Sequence, residues 1–436
     1  MRIDILALGS RGDVQPYMAL GLGLQAAGHR VRLVTLSGFE EFVRSYGLDH
    51  VAVAPSPQAI AATVDGKDWI KQRENVIGFV RGFLRVARAV VEEGIANYWR
   101  VCQDVEALVA APSGIPLAVH VAEKLSLPLV RANLAPSVPT RYDWDGKTSR
   151  MIAARTAWDA LAGATVRLLF WEGLRRRTNR ARRDVLDLPP LRLQEPWAML
   201  DRQRIPLLDG YSPAVVNPPP DWGDWIHVTG YWLMPDAGGW VPPAELSDFL
   251  ASGPPPVFVG FGSTPFPAAD AATQAVIQAL ERTRKRAIIV AGTSGLPTGR
   301  LTDDVLSVDS VPHGWLFPRV AAAVHHGGAG VTGAALRAGL PSVVVPVFAD
   351  QPFWGRRVFE LGVGPRPIPA RQLSSDALAH ALGEVTRDDR MRARAAGIGA
   401  RIRSEDGIAR AVETFDQYVR TINALEPACQ RSTLTT

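Results

Sequence analysis

The sequence predicts an α/β protein of two lobes, each a parallel sheet assembled from βαβ units. Three observations carry that expectation. Short apolar runs of strand length alternate with helix-length segments through both halves of the chain. A proline- and glycine-rich stretch separates the halves. Glycine turns follow two of the strand-like runs, at Gly9–Gly12 and at Gly327–Gly330. With 436 residues, 47% of them hydrophobic and 21% charged, the chain has material for two domains of roughly 200 residues, each with its own core.

The elements follow in order. RIDILAL, PYMALGLGLQAAG and HRVRLVTL read as strand, helix and strand, with Pro16 suited to a first helical turn and Gly28 to a helix end. Further strands are expected near Val51, Val109 and Val130, and a long helical region from Ala153 to Leu186. These make an N-terminal domain over residues 1–215. Prolines and glycines accumulate between Pro206 and Pro243, and residues 216–245 read as an interdomain linker. The βα rhythm then restarts with PPVFVGFGS, a helix over Gln274–Thr283, RAIIVAG, VLSVDSV, AAAVHHGG and SVVVPVF, giving a C-terminal domain over 246–405. Residues 406–436 hold a last helix, from about Gly407 to Ala424, that can pack on either domain or cross back to the first.

Bulk composition excludes several classes. A net charge of +5 over this length does not call for nucleic acid, though it permits contact with anionic lipid or a phosphorylated ligand. No apolar run reaches the ~18 residues that span a bilayer, and the opening MRIDILALGSRGD reads as a first strand rather than a signal peptide. Cys102 and Cys429 are the only cysteines, too few for a disulfide framework. The expected address is cytoplasmic, with peripheral contact at the inner face of the membrane left open. Composition says nothing of oligomeric state.

The most informative stretch runs from His326 through Gly330 to Asp350-Gln351, the pair lying 20 residues beyond Gly330. A buried strand ending near Val324 enters a glycine turn, then a helix closed by Gly339-Leu340-Pro341, then the strand SVVVPVF. Backbone amides at such a turn approach a phosphate closely, and the helix dipole favours its charge. His326 adds a donor, and an acid–amide pair past the next strand suits sugar hydroxyls. The unit reads as a site for a sugar joined to a diphosphate. In the first lobe, Asp13 lies in the loop Gly9–Pro16, at the carboxyl end of a strand where α/β ligands gather. There it serves as a general base or charge stabiliser, or it caps the helix that begins near Pro16. Both readings stand at this point.

GSRGDVQPYMALGLGLQAAGHRVRLVT and VPHGWLFPRVAAAVHHGGAGVTGAALRAGLPSVVVPVFADQPFWG resemble the GT-B glycosyltransferases of family 1, in the branch of sterol 3β-glucosyltransferases and antibiotic glycosyltransferases. NRARRDVLDLPPLR, Pro220–Gly223, VTGYW and VGFGST are similar to the same branch, so the resemblance covers nearly the whole chain. It implies two Rossmann-like βαβ domains facing a central cleft, and an inverting UDP-glycosyltransferase. Asp13 then takes the acceptor's proton, and Ser10, Arg11 and Gly12 complete that loop's contact with the donor. His326 and the amides of Gly328, Ala329, Gly330 and Val331 cradle the diphosphate. Members of this branch carry Ser and Thr where this chain has Ala329 and Val331, so binding there falls to the backbone. Asp350 and Gln351 hold the sugar, the base sits near Ser310, Val311 and His313, and Ser263 and Thr264 touch the nucleotide. Trp315 reads as a packed residue.

The resemblance also implies a co-substrate: UDP-glucose first, another NDP-sugar such as a dTDP-sugar second. No metal and no further cofactor is expected. The acceptor side is implied in the N-terminal domain, with Trp69, Phe79 and Phe83 and the loop from Asn133 through Pro139 facing a lipophilic alcohol, sterol-like or polyketide-like. Asp143-Trp144-Asp145 spells a metal-binding triplet of another fold but reads as a loop. The arginines from Arg175 to Arg183 read as a solvated helix face, or as membrane adhesion with Phe170 and Trp171 dipping in. An antibiotic-type transferase using a dTDP-deoxysugar on a polyketide or peptide aglycone, a sugar-nucleotide epimerase, and a non-catalytic binding module are the competing readings.

Overall fold

The computed structural model describes residues 1–54, 91–144, 165, 168–169, 171–191, 196–235, 240–262, 269–292 and 298–432. The chain divides into two compact units. Met1–Gly210, Asn217–Trp232 and the segment from Gly407 onward form the first, and Tyr211–Val216 with Leu233–Asp406 form the second.

The first unit is built on a seven-stranded parallel sheet: β1 (Arg2–Leu6), β2 (Arg30–Leu36), β3 (Asp49–Ala54), β4 (Ala107–Ala110), β5 (Leu129–Asn133), β6 (Leu207–Asp209) and β7 (Ile226–Val228). Their spatial order is β3-β2-β1-β4-β5-β6-β7. The order reverses direction between β1 and β4, the place where an open α/β sheet opens a crevice at its carboxyl edge. β1, β4 and β5 are buried along almost their whole length, which is why they read as continuous apolar runs.

The second unit carries a six-stranded sheet of β8 (Val257–Gly260), β9 (Ala287–Val290), β10 (Gly299–Thr302), β11 (Val305–Val308), β12 (Ala322–His325) and β13 (Ser342–Val344). The order is β10-β11-β9-β8-β12-β13, and only β10 runs antiparallel. Here the reversal falls between β8 and β12, paired in parallel with Gly260 beside His325. Side chains alternate across the two faces. Val257, Val259, Ala322 and Val324 enter one core, while Phe258 and Ala323 enter the other.

Several sequence expectations shift. Residues 216–245 are not simply a linker, because β7 lies within them and bonds to β6 in parallel. Three residues between prolines and glycines carry too little pattern to read as a strand. The first helix, α1 (Arg11–Ala26), starts five residues before Pro16. Pro16 therefore sits inside it and forfeits one backbone hydrogen bond. The last helix runs over Gly407–Ser432 and packs in the first unit. There its Asp416 meets His29 at 3.0 Å.

The arginine-rich segment is a solvated helix face at Arg176, Arg177, Arg180 and Arg183, and Arg182 is the exception. Arg182 is buried, donating to the Pro189 carbonyl at 2.8 Å and to both carboxylate oxygens of Glu123 at 2.7 and 2.9 Å. Arg177 and Arg180 pair with Glu92, and Arg175 with Glu172. Trp171 is 1% exposed and so is core, not a membrane anchor; Phe170 lies outside the described residues. Among the described residues no helix is long and apolar enough to cross a membrane.

Candidate active site

In the first unit, β1 delivers the chain into Gly9 and Ser10, and α1 begins at once. The Ser10 amide and hydroxyl both donate to Oδ2 of Asp13, at 2.8 and 2.9 Å, while the Asp13 amide donates to the Ser10 carbonyl at 2.9 Å. This reciprocal arrangement satisfies amides that the helix itself leaves open. The carboxylate curls so closely over the loop that a Cβ at Gly9, whose φ is +149°, would lie 2.5 Å from Oδ2. Only glycine fits there. Both bonds fall on Oδ2, leaving Oδ1 with no hydrogen-bond partner among the described residues.

Capping and proton acceptance are therefore compatible: one oxygen orients the group and the other is left without a hydrogen-bond partner among the described residues. Solvent reaches the residue, yet the protein around it desolvates the carboxyl and raises its pKa above 3.8, against the pull of the two Ser10 bonds. One turn below, Tyr17 is buried and donates to the Ala132 carbonyl at 2.8 Å. Burial first, then the charges of Asp13 and Asp209, push its phenol well above 10, so it stays protonated. Arg11 lies along the outer surface, donating to Gln15 at 3.2 Å and stacking over Phe42 at 4.5 Å. Ser10 is committed to Asp13, and Gly12 is exposed.

Asn133 ends β5 nearly buried, its amide donating to the Ser137 hydroxyl at 2.6 Å; it shapes the loop that carries the exposed Pro139. The loop's far end is tied to Asp221, which accepts from the Thr140 hydroxyl at 2.6 Å and the Arg141 amide at 2.8 Å. Trp69, Phe79 and Phe83 lie outside the described residues, as do Asp145, Ser263 and Thr264.

In the second unit, the turns after β8 and β12 meet, as their neighbouring positions dictate. The His326 ring lies between two glycines: a Cβ at Gly262 would fall 3.0 Å from its Cε1, and a Cβ at Gly328 2.5 Å from its Nε2. Burial lowers the His326 pKa to about 4, opposed by a hydrogen bond with the Gly260 backbone. The ring is neutral near pH 7. His325, which sequence reading passed over, points into the interior and accepts the Gly327 amide on Nδ1 at 3.1 Å. That bond puts its own proton on Nε2 and pins the turn that presents His326. Burial lowers His325 to about 3, helped by His326 and His313.

Helix α2 (Ala329–Arg337) starts directly beyond the turn, and its N-cap Gly328 has no side chain to occupy the first amides. The Ala329, Gly330 and Val331 amides therefore open at a positive helix end. Val331 buries its side chain in the core, so only its amide is offered. A Cβ at Gly327 would touch the Gln351 carbonyl at 3.0 Å; the His326 turn thus abuts the turn entering α3 (Gln351–Glu360). There the Gln351 side-chain oxygen accepts from the Val347 and Phe348 amides at 2.8 and 3.3 Å. Asp350 accepts the Trp354 indole N–H at 2.9 Å. Both side chains build the turn as well as line it, and next to them Phe348 is 41% exposed.

After β11, Ser310 is exposed, and Val311 is core. His313 stacks on Phe317 at 4.6 Å. Trp315 packs edge-on to Trp240 at 5.0 Å, a structural position. The structure thus gathers His326, Gly328–Val331 and Asp350-Gln351 in one unit and Ser10–Asp13 in the other.

Two family models match this chain. The glycosyltransferase family 28 N-terminal domain matches residues 3–142. The erythromycin biosynthesis protein CIII-like C-terminal domain matches residues 275–412. The chain has the GT-B fold. It is similar to the sterol 3-beta-glucosyltransferase of Aspergillus fumigatus, with 35% identity over 437 residues, covering 97% of this chain and 30% of that protein. The corresponding enzyme of Pichia angusta is 34% identical, covering 97% of this chain and 34% of its own length. This GT-B chain thus spans about a third of these relatives. Its fold is that of the crystal structure of the calicheamicin glycosyltransferase, with a TM-score of 0.67 at 18% identity over 96% of this chain and 98% of that one. A second structure, the glycosyltransferase SnogD from Streptomyces nogalater, gives a TM-score of 0.61 at 21% identity over 96% and 99%.

Proposed function

We propose that this chain is an inverting glycosyltransferase that moves glucose from UDP-glucose onto the hydroxyl of a lipophilic alcohol such as a sterol, forming a β-glycoside. The observation that carries the reading is the His326 turn: a glycine-walled imidazole beside the uncapped start of α2. Hydrogen-bond donors converge there on the space a diphosphate needs. The sterol 3-beta-glucosyltransferase relatives supply the substrate class.

In this mechanism the acceptor oxygen bonds to the anomeric carbon as the carbon–phosphate oxygen bond breaks, and the acceptor's proton passes to Oδ1 of Asp13. The Ser10 bonds hold the carboxylate in place, and its raised pKa makes it a better base than an exposed aspartate. A general base contributes about 10²–10⁴-fold. His326 and the first amides of α2 stabilise the negative charge on the departing diphosphate, in the manner of preorganised donors. No metal is assigned a role. In this proposal Ser310 and His313 contact the nucleobase and Asp350 and Gln351 the sugar, so that donors lacking the right hydroxyls lose hydrogen bonds and are disfavoured. Cytoplasmic action, with or without contact at a membrane surface, belongs to this proposal.

A second reading uses a dTDP-sugar; the spinosyn rhamnosyltransferase structure, complexed with thymidine diphosphate, has 17% identity to this chain and a TM-score of 0.63. Likeness at that identity speaks for the fold, and the sterol reading is favoured by the greater identity. The deciding experiment incubates the protein with UDP-glucose or dTDP-glucose and a panel of sterols and polyketide alcohols. Mass spectrometry reads the added hexose. Sterol glucoside formed from UDP-glucose is the expected product; a panel with no hexose added by either donor defeats the proposal.

A further inference from the structure

Asp350 occupies the position just before α3, where an aspartate ordinarily accepts from an amide two or three residues onward. Its side chain makes no such bond. Instead Oδ2 accepts the indole N–H of Trp354, one turn along the same helix, at 2.9 Å. Trp354 is fully buried and meets Tyr211 edge-on at 6.0 Å. Three residues further, the nearly buried Arg357 donates to the Val215 carbonyl at 2.6 Å and pairs with Glu360 at 3.3 Å. A helix held at two successive turns cannot roll about its axis. The indole nitrogen is therefore a fixed point, and the carboxylate bonded to it is held in one rotamer.

We propose that Trp354 is a positioning residue for donor-sugar recognition, its indole N–H turning the Asp350 carboxylate away from the helix amides and towards the sugar hydroxyls. This rests on the reading of Asp350 as a sugar contact. Its consequence is selective. The pyrophosphate is held by other groups, at His326 and the start of α2, so loss of the indole N–H affects the sugar-dependent part of binding alone. A tryptophan present only to fill the core would, when trimmed, disturb both parts together.

Isothermal titration of UDP and of UDP-glucose is run on the full chain, on Trp354→Phe, on Asp350→Asn and on the double variant. Trp354→Phe is expected to weaken UDP-glucose about tenfold, the scale of a hydrogen bond to a charged group, with UDP affinity unchanged. In the Asp350→Asn background the same substitution is expected to add no further loss. If Trp354→Phe does not fold, benzothienylalanine at position 354, which keeps the ring outline without the N–H, takes its place. Equal weakening of both ligands, or no change in either, overturns the positioning role while Asp350→Asn still shows the sugar contact. If Asp350→Asn leaves UDP-glucose affinity intact, the sugar contact itself falls, and the role of Trp354 with it.

Discussion

Gly328→Ala adds a single carbon 2.5 Å from Nε2 of His326 and 3.3 and 3.4 Å from the adjoining ring atoms. The backbone at Gly328, with φ −63° and ψ 149°, suits alanine, so the effect is steric and local. Non-bonded atoms sit about 3.5 Å apart at best, and the ring must therefore retreat by about 1 Å. Its other side is closed by Gly262, where even a methyl group would stand 3.0 Å away. Overpacking of this kind costs about 1–3 kcal/mol. A catalytic group displaced by about 1 Å loses on the order of 10²-fold in rate. The assay measures kcat/KM for hexose transfer, UDP affinity by titration, and Tm. We expect a lowered Tm, weaker UDP binding and a roughly hundredfold loss of kcat/KM. Gly397→Ala, whose added Cβ meets nothing within 4 Å, serves as the control, and is expected to raise stability by up to about 1 kcal/mol. A Gly328→Ala protein that melts lower yet turns over at the wild-type kcat/KM would refute the reasoning, since it would show that the position of His326 does not matter.

Asp13→Asn keeps an acceptor for Ser10 but removes the base, and should lower kcat about 10²–10⁴-fold with UDP affinity intact. Because the folded pKa of Asp13 is raised above 3.8, its favourable contribution to stability is complete below that value and lost as pH rises through the folded pKa. The variant should therefore melt no lower than wild type at neutral pH, and a lower Tm there counts against the desolvated carboxylate. The buried imidazoles act in the opposite sense. His120 and His325 are lowered to about 3 and His326 to about 4, so their stabilisation is present above 6.5 and lost as pH falls towards those values. Each contributes a slope of about 1.4 kcal/mol per pH unit, and urea unfolding that is equally stable at pH 7 and pH 5 would contradict their burial as neutral rings. Arg182→Met should cost several kcal/mol, because Glu123, His120 and the Pro189 carbonyl all lose a buried partner. The exposed Arg176→Ala should stay within about 0.5 kcal/mol, and similar Tm values for the two would remove Arg182 from the core.

The legibility of this chain varied with how far each feature depends on its neighbours. Strands buried on both faces, such as β1, β8 and β12, show as apolar runs whatever surrounds them. β7 and β10 are short edge strands whose residues are half-buried or exposed, so they carry no apolar run and exist because a neighbouring strand accepts them. Arg182 and Arg176 are indistinguishable in a basic run; only the packing of Glu123 and His120 against one of them makes it interior. His325 and His326 are adjacent and chemically identical, and strand alternation alone sends one inward to hold the Gly327 amide and the other to the turn.

What the chain determined by itself is the βα rhythm of both halves, the glycine turns, and the residue types that suit a diphosphate, a sugar and a base. Those follow from local backbone preference and side-chain chemistry, which need no distant partner. Tertiary structure decided the rest: that the turns after β8 and β12 share the reversal point of the sheet order and so enclose the same imidazole, that Ser10 spends its donors on one oxygen of Asp13, and that a buried indole rather than a helix amide claims Asp350. Each of these depends on which atoms arrive within hydrogen-bond or van der Waals reach, and that is set by the packing of segments far apart in the sequence.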